Sequence, residues 1–268
     1  MRSPRTALLR GREHTKLGAV AALAEGRCAI ALSRGGFAKG YRYRDANEDA
    51  AAFALGAGGA LVAVADGHGG HEASELALAR LFEGFGEAWT GPGVLASRWT
   101  QIAGDAIAQI HAAIVERGVT GGNPEARTTL ALALVRPGED LLAFAAVGDS
   151  HVFVAGAARA EDLVAPDGAP TYLGSPSLEP GDLRAVIDAR PLAAARAVAL
   201  ATDGLSEHGI GVAAPELAVI EALDRAGRAS PDLQPLETAR FLVECALASH
   251  RRQRSGDNVA AAVLILAE

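Results

Sequence analysis

Apolar residues run along this chain in short blocks that stop at Gly, Pro or Asp-Gly, the punctuation of consecutive strands and turns. Cys28–Leu32, Ala50–Leu55 and Ala60–Ala65 are predicted strands. Leu78, Leu81, Phe82, Phe85 and Trp89 then recur at helical spacing, which predicts an amphipathic helix packed on a sheet. Gly91-Pro92-Gly93 breaks it, and Trp99, Ile102, Ile107, Ile110 and Ile114 mark a second helix. Thr128–Val135 and Leu141–Val147 are joined by Arg136-Pro137-Gly138-Glu139, a hairpin turn in which Pro presets φ, and His151–Ala155 continues the meander. After a loop rich in Pro and Gly come a strand at Ala197–Thr202, a helix marked by Leu236, Ala239, Leu242, Val243 and Ala246, and a closing strand at Val259–Leu266. This order suits two sheets with helices outside them rather than alternating βαβ units. Residues 1–26 read differently, with Arg, Ser and Pro first and then a short Ala-rich helical stretch. They are expected to form an N-terminal extension, a loose tail or a docking helix, ahead of one domain spanning 27–268.

Composition narrows the class. Half of the 268 residues are apolar and only 4% aromatic, so the chain can bury one large core of Ala, Val, Leu and Ile, and disorder is excluded. A net charge of −7 argues against a nucleic-acid partner, which needs a basic face to displace counterions. Cys28 and Cys245 are too few for a disulfide framework and read as reduced thiols. No apolar run approaches the roughly 20 residues of a membrane helix, and the Arg-rich opening lacks a small-residue cleavage pattern. The expectation is a cytoplasmic protein with no membrane partner. Lys16 and Lys39 are the only lysines among many arginines, a usage that fits a GC-rich bacterial genome.

The chemistry is suggested by where aspartates fall. Asp49, Asp66, Asp149, Asp203 and Asp257 all stand at the ends of strand-like runs, in RDANEDA, VADGHGGHE, VGDSH, LATDGLSE and SGDNVA. One such residue is most simply a turn former. Five in one domain are harder to explain that way, because like charges brought together raise one another's pKa unless a cation neutralises them. Hard oxygen ligands without His or Cys select Mg²⁺ or Mn²⁺ over zinc or copper. Two such ions sharing a water lower its pKa enough to give a hydroxide near neutral pH.

With these segments in this order, the chain resembles the type 2C, metal-dependent (PPM) family of protein serine/threonine phosphatases from about Cys28 to the C-terminus. The resemblance implies a four-layer αββα sandwich, an α/β (α+β) fold with two mainly antiparallel β-sheets flanked by helices. It implies hydrolysis of phosphoserine and phosphothreonine by a metal-bridging hydroxide, without a phosphoenzyme, using two Mn²⁺ or Mg²⁺ ions and a weaker third. Carried over by position, Asp66 bridges both metals, Asp203 and Asp257 complete the first site, and the Gly67 carbonyl ligates the second. Glu48 and Asp49 hold metal-bound waters, and Asp149 with Asp203 holds the third ion. Arg44 takes the phosphate-binding position, where a planar guanidinium grips two oxygens. His68 matches the general acid, with His71 its nearby rival. The partners implied are a phosphorylated protein substrate and a Ser/Thr kinase or its targets.

The chain departs from the family at Arg127, where relatives usually have Gly, and at His151, where Arg is common. The segment from Ala155 to Arg196 lacks the family's Asp-His-Ser stretch, so the flap beside the active site is expected to be reduced or rebuilt. Two other readings stay open: a catalytically silent phosphoprotein-binding module of the same fold, and a small-molecule phosphoesterase.

Overall fold

In a computed structural model, described for residues 4–40, 43–91, 96–164, 169–193 and 195–266, two six-stranded sheets lie face to face with a pair of helices on each outer side. Residues 41 and 42, and Pro92 and Gly93 of the expected helix break, lie outside the described residues. The strands are β1 (Arg5–Arg10), β2 (Ala21–Glu25), β3 (Cys28–Ser33), β4 (Ala50–Leu55), β5 (Ala60–Ala65), β6 (Gly67–His68), β7 (Arg127–Thr128), β8 (Leu130–Arg136), β9 (Leu141–Val147), β10 (His151–Ala155), β11 (Ala160–Asp162), β12 (Ala185–Pro191), β13 (Ala197–Ala201) and β14 (Val259–Ile265). The helices are α1 (Glu72–Thr90), α2 (Trp99–Gly121), α3 (Pro215–Ala226) and α4 (Gln234–Gln253). One sheet runs β1-β4-β5-β8-β9-β12, the other β11-β10-β13-β14-β3-β2, every pairing antiparallel, and β6 with β7 makes a small ribbon.

The unbroken apolar blocks follow from burial on both faces. Along β4, Ala50, Ala52 and Ala54 face α1 and α2, whereas Ala51 and Phe53 face the other sheet. Along β13, Ala197, Ala199 and Ala201 lie under α3 and α4, with Val198 and Leu200 between the sheets. Small residues under the helices let backbone approach backbone, while larger ones fill the gap between sheets. Burying a side chain such as Phe53 contributes about 1.5–3 kcal/mol.

Two expectations are corrected. The Ala-rich stretch before Gly26 is no helix: β2 pairs with β3, and β1 pairs with β4, so this segment adds an edge strand to each sheet. Pairing with an open sheet edge outweighs the helix propensity of alanine. His151–Ala155 is a strand but leaves the meander, because the chain crosses at Gly148 into the second sheet, where β10 pairs with β13. Gly148 has φ +99°, and a Cβ there would meet the Thr129 side chain at 2.6 Å, so only glycine makes the crossing without strain.

Candidate metal centre

Strand register brings the aspartates together. Ala50 pairs with Ala65, so Asp49 just before β4 and Asp66 just after β5 stand side by side at one end of the first sheet. His151 pairs with Ala201, which sets Asp149 opposite Asp203 by the same counting, and Asp257 lies two residues before β14 at the same end of the second sheet. Five carboxylates thus face one another across the end of the sandwich.

Hydrogen bonds hold this end in place. The Thr202 hydroxyl accepts the Ala260 N–H at 2.8 Å and donates to Asp49 Oδ2 at 2.7 Å, tying one sheet to the other. Asn258 donates to the Arg34 and Ala46 carbonyls, both at 3.1 Å, and accepts the Glu48 N–H at 2.9 Å. Buried His250 donates through Nε2 to the Gly204 carbonyl at 2.7 Å and accepts the Gly36 N–H at Nδ1, 3.2 Å. Gly204 lies so close to the Asn258 carbonyl that a Cβ would come within 1.7 Å of it. The Asp203 turn is therefore pressed directly onto the Asp257 strand.

The donor set fits divalent cations. Asp49 Oδ1, Asp149 Oδ1, Asp203 Oδ1 and Glu207 Oε2 are buried without a hydrogen-bond partner among the described residues. Asp203, Glu207 and Asp257 each place a carboxylate oxygen within 4.8 Å of the other two. Burial, followed by the charges of Asp49 and Asp257, pushes Asp66 well above the usual carboxylate range. Burial and then the charges of Asp66 and Asp257 do the same to Asp203. Burial also drives Asp49 up to about 7, against the pull of the Lys39 ammonium. Carboxylates this reluctant to ionise are relieved by a multiply charged hard cation, and oxygens alone suit Mg²⁺ or Mn²⁺.

The other expected residues divide between centre and rim. His68 Nε2 lies 3.7 Å from Asp66 Oδ2, and burial lowers its pKa. Glu48 Oε1 accepts the Arg44 and Asp45 N–H groups at 3.1 and 2.9 Å, so this carboxylate also closes its own loop. Gly67 pairs with Thr128 in the β6–β7 ribbon, one residue from Asp66. The Arg44 guanidinium is half exposed and reaches Glu72 at 3.8 Å. His71 is held at the rim, its Nδ1 2.7 Å from Asp45 Oδ2. A cavity of about 710 Å³ lined by Arg27, Arg196 and Asp232 lies at the opposite end of the second sheet, away from this chemistry.

Four residues of the centre were not singled out from sequence. Glu207 was legible as a carboxylate four residues after Asp203 in TDGLSE. Thr202 and Lys39 carried no signal. Tyr172 arrives from the segment between β11 and β12: its ring packs edge-on against His68 at 4.7 Å, its hydroxyl lies 3.4 Å from Asp149 Oδ2, and Arg127 stacks on its face at 5.6 Å. His151 joins Asp162 Oδ2 at 2.6 Å to Ser206 Oγ at 2.5 Å, which fastens the Asp203 turn to β11. Arg127 and His151 are thus both built into the walls of the centre.

Fold and site define a class, an αββα sandwich with a buried all-oxygen acidic cluster suited to divalent cations at one end. Residues 40–242 match the protein phosphatase 2C family, and the chain belongs to that family. It is a protein phosphatase by family. Among solved structures it is similar to a bacterial serine phosphatase, with 16% identity, TM-score 0.66, and coverage of 91% of this chain and 98% of that one. It is also similar to the catalytic domain of the serine/threonine protein phosphatase PstP in complex with two manganese ions, with 22% identity, TM-score 0.64, and coverage of 93% and 100%. The serine/threonine phosphatase Stp1 from Staphylococcus aureus shows 18% identity, TM-score 0.64, and coverage of 95% and 98%. At these identities the likeness establishes the fold. No curated protein sequence matches the chain. No helix among the described residues is long and apolar enough to cross a membrane.

Proposed function

We propose that this protein hydrolyses phosphoserine and phosphothreonine esters of other proteins by direct attack of water on phosphorus, without a phosphoenzyme. The observation that carries the reading is the convergence of Asp49, Asp66, Asp149, Asp203 and Asp257, with Oδ1 of Asp49, Asp149 and Asp203 buried without a hydrogen-bond partner among the described residues. Such a set is tolerable only around concentrated positive charge. In this reading Asp66, Asp203, Asp257 and the Gly67 carbonyl would hold two cations, with Asp66 shared between them; Glu48 and Asp49 would hold and orient water, and Asp149 with Asp203 would hold a third ion. When bound, the cations supply the Lewis acidity that activates the attacking water and neutralises charge on the phosphoryl oxygens.

The chain's own residues do the rest. Arg44, half exposed at the rim, would meet the phosphate and hold two of its oxygens. His68 carries the proton for the leaving seryl or threonyl oxygen. Burial keeps its imidazole neutral in the free protein, and the charge of an arriving phosphate dianion raises its affinity for a proton. A cytoplasmic setting opposite a Ser/Thr kinase accords with this reading.

The test is hydrolysis of a phosphothreonine peptide by metal-stripped protein, before and after adding Mn²⁺ or Mg²⁺, with Asp66→Asn alongside. Turnover that requires metal and vanishes in the variant is the expected result. No turnover with either metal would leave the phosphoprotein-binding module as the better reading.

A further inference from the structure

The centre already contains a cation of the chain's own. Lys39 lies between β3 and Arg44, its side chain only 5% exposed, with Nζ 2.6 Å from Asp257 Oδ1. Its position is set by a fixed loop, since Asn258 holds the Arg34 carbonyl and His250 holds the Gly36 N–H. The ammonium also lies near the Tyr43 ring, 5.7 Å from its centroid, and Tyr43 in turn accepts a hydrogen bond from Arg34 at 2.9 Å. Its field reaches Asp49, Asp66, Glu48 and Glu207. A flexible surface lysine would not be sequestered in this way; burying an ammonium costs several kcal/mol unless carboxylates surround it.

We propose that Lys39 is a built-in counter-ion that steadies the carboxylates in the metal-free protein and, by sitting on Asp257, weakens the hold of the centre on divalent cations. The proposal rests on the metal reading above. A divalent ion at Asp257 must share that carboxylate with the ammonium or displace it, and two like charges in a site of low polarity repel strongly. The lysine thereby tunes metal affinity, so the enzyme responds to the supply of free metal instead of holding its ions permanently.

The experiment is calorimetric titration of metal-stripped protein with Mn²⁺, together with its thermal unfolding in the absence of metal, for wild type, Lys39→Met, Lys39→Gln and Lys39→Arg. The neutral variants are expected to bind Mn²⁺ about tenfold more tightly or better, and to unfold at lower temperature without metal. Lys39→Arg keeps the charge and is expected to stay within about threefold of wild type. The glutamine amide can still bond to Asp257, so that variant keeps the test open if the methionine variant does not fold. Unchanged or weaker Mn²⁺ binding in the neutral variants would overturn the proposal, as would an arginine variant that tightens as much as they do. Asp66→Asn in the same titration separates the two claims. If it loses Mn²⁺ while the Lys39 variants match wild type, only the counter-ion falls; if no form binds Mn²⁺, the metal reading falls with it.

Discussion

At the scale of single residues, the centre is defined by what its side chains lack as much as by what they contact. Asp49 receives a hydrogen bond from Thr202 on Oδ2, while its Oδ1 is buried without a donor among the described residues. His68 sits under the Tyr172 ring with Nε2 buried, poised over the carboxylates. If its role is to protonate a leaving oxygen, the effect of removing it depends on how badly that oxygen needs the proton. His68→Gln should slow hydrolysis of a phosphoserine peptide by about a hundredfold, yet scarcely affect nitrophenyl phosphate, whose leaving group departs as a stable anion. Steady-state rates on the two substrates check this, and equal losses on both would assign His68 to positioning instead.

At the scale of elements, the helix pair on the first sheet is fastened by a charge that takes no part in the chemistry. Arg136 at the end of β8 is 1% exposed; its guanidinium donates to the Trp89 carbonyl at 2.9 Å, to the Gly91 carbonyl, and to Glu139. It thus supplies donors to the orphan carbonyls at the C-terminus of α1. Arg136→Met should cost about 3 kcal/mol, because it leaves buried carbonyls unpaired, while Mn²⁺ affinity stays unchanged. Urea unfolding with metal titration reads both quantities. The elements hardest to anticipate were edges. β12 is largely exposed, so it lacks the apolar alternation that betrays a strand. α3 was also not anticipated, although Ala218, Val219, Ala222, Leu223 and Ala226 recur at helical spacing after Pro215.

At the scale of the whole molecule, stability and metal binding are linked through protons. Asp49 has a folded pKa of about 7, and Asp66 and Asp203 are also raised, all chiefly by burial. Unfolded aspartate titrates near 3.9. Between these values the folded metal-free protein binds more protons than the unfolded chain, so its stability falls as pH rises from about 4 towards 7. Bound cations compensate the ionised carboxylates and remove that dependence. The urea midpoint of metal-stripped protein should therefore drop between about pH 5 and pH 7.5, and the drop should vanish with saturating Mn²⁺. A flat metal-free profile would mean that the carboxylates ionise freely and that the cluster is looser than its geometry.

The sequence by itself determined the layered core and the identity of the acidic cluster. Blocks such as Ala50–Leu55 and Ala60–Ala65 must be buried on both faces, and aspartates at their ends must meet wherever neighbouring strands are in register. Local pattern carries that information, because burial and turn chemistry act over a few residues. Only the tertiary structure decided that residues 5–10 and 21–25 close the sheet edges, that the chain changes sheets at Gly148, and that Tyr172 and Lys39 stand in the centre. Each of these depends on partners distant in sequence. An edge strand takes its conformation from the neighbour it pairs with, and a lysine becomes a counter-ion only when folding closes carboxylates around it.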